Sequence, residues 1–290
     1  MIEPGSDDQP HPVSARIGPR AAEDERPAFD RRGDRGLQLR AVLPNAITAA
    51  ALCSGLTGIR FAISGDWSAA VFAIILAGLL DGVDGRIARL LNAQSRFGAE
   101  LDSLADSLSF GMAPALIIYL WALQDHSRWG WFAVLAFAIC CALRLARFNA
   151  QIDRDDQPHK SAGFLTGIPA PVGAGLAFLP FYLWMAASSW SADMAELFRN
   201  PLLVSIWVAL IAFLMISNLA TLSWTSIRPR RNIRLEVIAF AGLLFAALLL
   251  EPWWALIGIS VLYLALLPVG WIRYAKFKRQ RAARQNDQPA

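Results

Sequence analysis

The sequence predicts an all-α protein, a polytopic membrane helix bundle of about eight transmembrane helices with both termini cytoplasmic. Three observations predict it. The 290 residues are 56% hydrophobic and 17% charged, where an ordinary globular chain is about 45–50% apolar and about 25% charged. Apolar runs long enough to cross a bilayer, about 20 residues each, follow one another from residue 44 almost to the C-terminus. Of the 27 Lys and Arg, 24 fall in segments that an eight-crossing chain would place on one side, the side that cytoplasmic loops occupy. Such a chain is not a soluble enzyme, a disordered polymer or a disulfide scaffold. Cys53, Cys140 and Cys141 lie inside apolar runs, and no Cys/His cluster has metal-ligand spacing.

Taken in order, residues 1–43 read as a disordered or interfacial cytoplasmic segment. Residues 1–40 hold seven Arg and eight Asp or Glu with few aliphatics, too little apolar surface to offset the entropy of ordering. No apolar stretch follows the first residues as a secretory signal would require. A short amphipathic stretch at Leu37–Leu43 can lie on the membrane surface before Pro44. The expected membrane helices are 45–63, 67–91, 98–123, 129–150, 168–188, 201–222, 235–250 and 253–273, the last two separated at Glu251-Pro252. Trp67, Trp121, Trp129, Trp131, Trp190, Trp253, Trp254, Trp271 and Tyr274 sit near the ends of these runs, as interfacial anchors do. The segments around the helix 2–3, 4–5 and 6–7 turns, helix ends included, carry three, four and four basic residues, and the chain from Arg273 onwards carries six. The loops after helices 3 and 5 carry Arg128 and Arg199 alone, and those after helices 1 and 7 carry none. Merging the last two helices would strand the basic tail on the wrong side. The tail, residues 274–290, reads as a contact for anionic lipid rather than for nucleic acid.

Carboxylates at membrane depth are costly and mark function by default. Four occur together, Asp81, Asp84, Asp102 and Asp106. Asp81 and Asp84 are spaced i,i+3 and share one face of helix 2; Asp102 and Asp106 are spaced i,i+4 and share one face of helix 3. Asp81 lies about 21 Å along helix 2 from its outer end, at 1.5 Å per residue, in the inner half of the bilayer. A short turn near Asn92–Phe97 makes helices 2 and 3 antiparallel neighbours and brings the second pair back to a similar depth. Four carboxylates so close can be ionised together only with compensating cations. Hard divalent ions with oxygen ligands (Mg²⁺, Mn²⁺ or Ca²⁺) suit them, and two such ions could assist a phosphoryl displacement. Gly85 and Gly98 leave the backbone open to a bulky polar group. Arg86 and Arg89, one turn away, can pair with phosphate. Together these features point to a diphosphate-bearing lipid substrate.

The run Asp81-x-x-Asp84-Gly85-x-x-Ala88-Arg89, eight residues, Gly98-x-x-x-Asp102-x-x-x-Asp106 resembles the full signature of the CDP-alcohol phosphotransferases. The resemblance implies a membrane enzyme, dimeric as is usual in that family, that displaces CMP from a CDP-linked lipid by an alcohol. It implies that Asp81, Asp84 and Asp102 hold a divalent metal pair, Mg²⁺ or Mn²⁺. Asp106 would assist that metal site and act as general base on the acceptor hydroxyl. Gly85, Ala88, Arg89 and Gly98 would accommodate the CDP moiety. The stretches Arg144-Leu145-Ala146-Arg147-Phe148-Asn149, Phe164-Leu165-Thr166-Gly167-Ile168-Pro169-Ala170-Pro171 and Ser95 to Gly111 resemble the bacterial members that use serine. That resemblance implies CDP-diacylglycerol and L-serine as substrates and a bacterial inner membrane with the active site facing the cytoplasm. Arg144, Arg147 and Asn149 could bind the zwitterionic acceptor. The family unit would cover residues 44–227, and 228–273 would add two helices beyond its usual six.

Other readings stand beside these. Glycerol 3-phosphate, an inositol phosphate or choline could be the acceptor. A cation transporter could use the carboxylates as an ion site, but it predicts internal repeats of broken helices, and the aspartate motif has no second copy. A membrane scaffold would leave the aspartate set without a purpose. Arg144 and Arg147 also suit the plain anchoring of a helix end, Gly167-Ile168-Pro169 also suits a simple loop break before a helix, and Arg60 is long enough to snorkel outward. His11, His126 and His159 lie in loops and tails and carry no assigned role.

Overall fold

A computed structural model describes residues 31–125, 127–152, 164–217, 220–222 and 234–268. The expectations for residues 1–30, for the basic loop residues Arg154, Lys160, Arg228, Arg230 and Arg231, and for the tail 269–290 lie outside the described residues. The described chain is almost wholly helical. Its helices are α1 (Arg31–Ile63), α2 (Trp67–Leu90), α3 (Arg96–Leu123), α4 (Ser127–Ile152), α5 (Ala170–Ser188), α6 (Ala192–Phe198), α7 (Pro201–Ile216), α8 (Arg234–Leu250) and α9 (Pro252–Pro268). Five of them contain stretches long and apolar enough to cross a membrane. The count becomes six if α6 and α7, bent by 44°, form one span. This is the architecture of an integral membrane protein. α8 and α9 are apolar but no longer than 17 residues, about 25 Å at 1.5 Å per residue, against a core about 30 Å thick. The described helices therefore support five or six spans by length, where the sequence predicts eight.

Local chemistry sets most boundaries. Between α1 and α2, Gly65 takes φ 79°, and the Asp66 side chain caps α2 by accepting from Ala69 N at 3.1 Å. α2 closes with Asn92 in the left-handed region, φ 49°. Around it Ala93 N donates to Ala88 O at 2.9 Å and Asn92 N to Arg89 O at 3.3 Å. This is a Schellman closure with Asn in the usual glycine position. Ser95 then opens α3, its hydroxyl accepting from Gly98 N at 3.0 Å. Five residues thus reverse the chain and set α2 and α3 side by side.

Three elements depart from their expected bounds or form. α1 begins at Arg31 rather than 45 and runs through Pro44. α3 contains two π-helical stretches, Ser107–Met112 and Tyr119–Leu123. Pro114 follows the first; it has no N–H for a helical bond and its ring crowds the carbonyl one turn back. The wider turn, with Ala113 N donating to Leu108 O, ends just before it. The sixth helix stops at Ile216 rather than 222. Ser217 takes extended backbone (ψ 156°) while its hydroxyl donates to Leu214 O at 2.8 Å, the local competition by which serine ends helices. Residues Ala220–Leu222 instead form a strand, β2, antiparallel to β1 (Phe164–Thr166), with Leu165 opposite Thr221. This short pairing is the exception to an all-helical fold. Gly167, at φ 75°, makes the tight exit from β1 towards α5.

A single buried core links α2, α3, α4, α5 and α7. Trp121, Phe137, Phe178, Phe181, Tyr182, Val208 and Ile211, from α3, α4, α5 and α7, are buried together. Trp121 meets Phe181 and Trp184 edge-on, and Arg199 donates through Nε and Nη2 to Trp121 O at 3.1 and 2.9 Å. Trp253 at the start of α9 adds to it, with ring centroids 5.4 Å from Phe72 and 5.5 Å from Phe181. Towards the other end of α2 the packing gives way: a Cβ built on Gly82 or Gly85 would meet nothing within 4 Å. The aspartates lie at this open end.

Candidate active site

Three of the four expected carboxylates converge. Asp81 from α2 and Asp102 and Asp106 from α3 each offer an oxygen within 4.8 Å of the others, and all three side chains are half-buried. The i,i+4 spacing of Asp102 and Asp106 gives two of these on one face of α3, and the Schellman turn supplies the facing helix. An all-oxygen trio of this size matches the donor preference and dimensions of a hard divalent cation, so the residues present fit the metal that the motif implies.

Asp84 stands apart from the trio. It is 4% exposed, and its Oδ2 accepts from Thr48 Oγ1 of α1 at 2.6 Å. Its charge still acts on Asp81 and Asp102. Of the expected CDP-accommodating residues, Gly85 borders open space, and exposed Arg89 turns back, its Nε donating to Gly85 O at 3.0 Å. Ala88 lies one turn from Asp84 on α2 and is half-buried. Gly98 has a packing reason to be glycine, since a Cβ there would lie 3.0 Å from Asn45 Oδ1 and 3.2 Å from Ser95 Oγ.

The expected acceptor residues lie on α4. Arg144 is beside the cluster, its charge acting on Asp106 and Cys141, and its buried Nε makes no hydrogen bond. Arg147 is exposed. Asn149 Nδ2 donates to Ser103 Oγ at 2.8 Å, tying α4 to the residue beside Asp102. Sequence reasoning missed Asn45, Thr48 and Ser103. Asn45 and Thr48 carry a signal in retrospect: two polar residues spaced i,i+3 at the start of an otherwise apolar run.

This fold and site define an integral membrane enzyme of CDP-linked lipid chemistry. The profile of the CDP-alcohol phosphatidyltransferase family matches residues 41–217, and a second profile, CDP-alcohol phosphatidyltransferase 2, matches 232–268. The chain belongs to the CDP-alcohol phosphatidyltransferase family. It is similar to the CDP-diacylglycerol–serine O-phosphatidyltransferase of Mycobacterium tuberculosis, 36% identical over 262 residues that make up 89% of this chain and 87% of that protein. The enzyme of the same name from Helicobacter pylori is 32% identical over 80% of this chain and 91% of its own length. That from Bacillus subtilis is 33% identical over 61% of this chain and 88% of its own.

Proposed function

We propose that the protein transfers the phosphatidyl group of CDP-diacylglycerol to the hydroxyl of L-serine, releasing CMP and forming phosphatidylserine. The observation that carries this reading is the carboxylate cluster of Asp81, Asp102 and Asp106 beside buried Asp84, in a chain whose bacterial relatives bear the serine transferase name over most of their length. Asp81, Asp84 and Asp102 would hold a pair of Mg²⁺ or Mn²⁺ ions, with Asp106 completing the cluster. Bound there, such ions supply neutralising charge for the diphosphate and for the departing CMP.

The protein's own groups do the rest. The open backbone at Gly82 and Gly85 admits the CDP moiety, bordered by Ala88, Arg89 and Gly98. Serine approaches from the α4 side, where Arg144, Arg147 and Asn149 surround its charged groups. An Asp106 carboxylate oxygen takes the hydroxyl proton as general base. The serine oxygen then bonds to the phosphorus bearing the diacylglycerol, and the bond from that phosphorus to the CMP oxygen breaks, its electron pair leaving with CMP. We place the enzyme as a homodimer in the bacterial inner membrane, its site facing the cytoplasm. In this reading 1–43 is a cytoplasmic segment, 44–227 the catalytic unit, 228–273 two further spans and 274–290 a lipid-contacting tail.

Purified protein given CDP-diacylglycerol, Mn²⁺ or Mg²⁺ and a panel of labelled alcohols tests this directly. Serine should release CMP and yield labelled phosphatidylserine. Asp81→Ala, Asp84→Ala and Asp102→Ala should lose turnover by at least the 10²-fold typical of lost preorganised charge. Asp106→Asn should bind CDP-diacylglycerol yet not transfer. CMP release with another alcohol and none with serine would overturn the acceptor; full activity in Asp106→Asn would overturn the base.

A further inference from the structure

We infer that Thr48 is a positioning residue for the metal site, a role that rests on the reading of Asp84 as a ligand. Thr48 and Asp84 come from different helices, 36 residues apart, yet are 5% and 4% exposed. Their 2.6 Å contact is short, as expected for a hydroxyl donating to a charged carboxylate. Thr48 Oγ1 also lies 3.1 Å from Pro44 O, the back-bond a helical threonine makes when it has nothing better. Pro44 O stands in the helix where the Thr48 N–H can satisfy it, so the single hydroxyl proton is free for Asp84.

This has a geometric consequence. The bond from Thr48 ties the Asp84 carboxylate to α1, and that tie orients the carboxylate beside the group formed by Asp81, Asp102 and Asp106. Asn45, one turn earlier on α1, reaches the other side of the site, its Oδ1 against Gly98 at the start of α3. α1 carries none of the aspartates, yet through Asn45 and Thr48 it touches both helices that do. A ligating carboxylate is ordinarily held by such an outer hydrogen bond, whose loss costs about 10–100-fold in metal affinity.

The test is Mn²⁺ affinity, read by electron paramagnetic resonance of the free ion, in full-length wild type and in Thr48→Val, Thr48→Ser and Asp84→Asn. Valine keeps the shape and removes the donor; it should weaken Mn²⁺ binding by about 10–100-fold. Serine keeps the donor and should stay within about twofold of wild type, a rescue that mere packing of the threonine methyl would not give. If Thr48→Val does not yield folded protein, Thr48→Ala makes the same comparison. Wild-type affinity in Thr48→Val with weakened binding in Asp84→Asn overturns the positioning role and leaves the metal reading standing. Equal losses in the Ser and Val variants also overturn it. Unchanged affinity in Asp84→Asn overturns the metal reading of Asp84, and the inference with it.

Discussion

Two glycines show how differently one residue type serves this protein. A Cβ at Gly55 would lie 2.7 Å from Ser109 Oγ and 2.9 Å from Ser109 Cα, so α1 and α3 approach each other there over bare backbone. Gly55→Ala must force them apart, and overpacking of this kind costs about 1–3 kcal/mol. It should lower the thermal midpoint of the detergent-solubilised protein. Gly85→Ala meets nothing within 4 Å and replaces glycine by a better helix former. Its midpoint should hold or rise, while kcat/KM for CDP-diacylglycerol falls if the nucleotide uses that space. A Gly85→Ala enzyme as active as wild type would remove that residue from the substrate site. The four aspartates were legible from sequence because charge at membrane depth is expensive and their spacing fixes their faces. Thr48, Asn45 and Ser103 were not. Threonine, asparagine and serine in a helix have several cheap local uses, and only the packed structure brings Thr48 against a carboxylate 36 residues away.

The element that makes the site is the α2–α3 reversal. Neither helix alone gathers more than two of the four aspartates; the turn at Leu91–Ser95 sets their relative depth. Its strained point is Asn92, at φ 49°, where Asn is tolerated and glycine is better. Asn92→Gly should keep both stability and activity. Asn92→Val puts a β-branched residue where left-handed backbone costs about 1–2 kcal/mol. It should reduce turnover more than it reduces folding, because a shift of the turn misaligns Asp81 from Asp102 and Asp106. Equal activity in the two variants, assayed as CMP release, would show that the turn does not set the register of the site. The run Asn92–Phe97 marks a turn in sequence, and antiparallel neighbours follow from its length. The π-helical stretches of α3 and the strand at Ala220–Leu222 were not legible. Helical periodicity over an apolar run does not distinguish α from π, and the extended stretch at 220–222 is settled by pairing with a strand 56 residues earlier.

At the scale of the whole molecule, the open matter is how residues 234–268 meet the membrane. Placement of basic residues predicts two further crossings, whereas helix length by itself supports five or six spans among the described residues. Packing favours the crossings. Trp254 lies 5.2 Å from Trp190, in the loop after α5, and Trp253 lies against Phe72 near the start of α2. The α8–α9 junction therefore sits at the end of the bundle away from the aspartates. Ten residues on, about 15 Å along a helix, Tyr263 is within electrostatic reach of Arg144 beside Asp106. α9 thus returns along the bundle to the site end. Mismatch of a few ångströms against the bilayer is a modest cost, met by local thinning or by snorkelling side chains. Cysteine labelling decides it. With Cys53, Cys140 and Cys141 replaced by serine, Glu251→Cys should react with an impermeant maleimide from outside intact cells, as Trp190→Cys should, while Arg96→Cys should react only after permeabilisation. Reaction of Glu251→Cys only after permeabilisation would make α8 and α9 a hairpin on the site side, with six spans in the membrane.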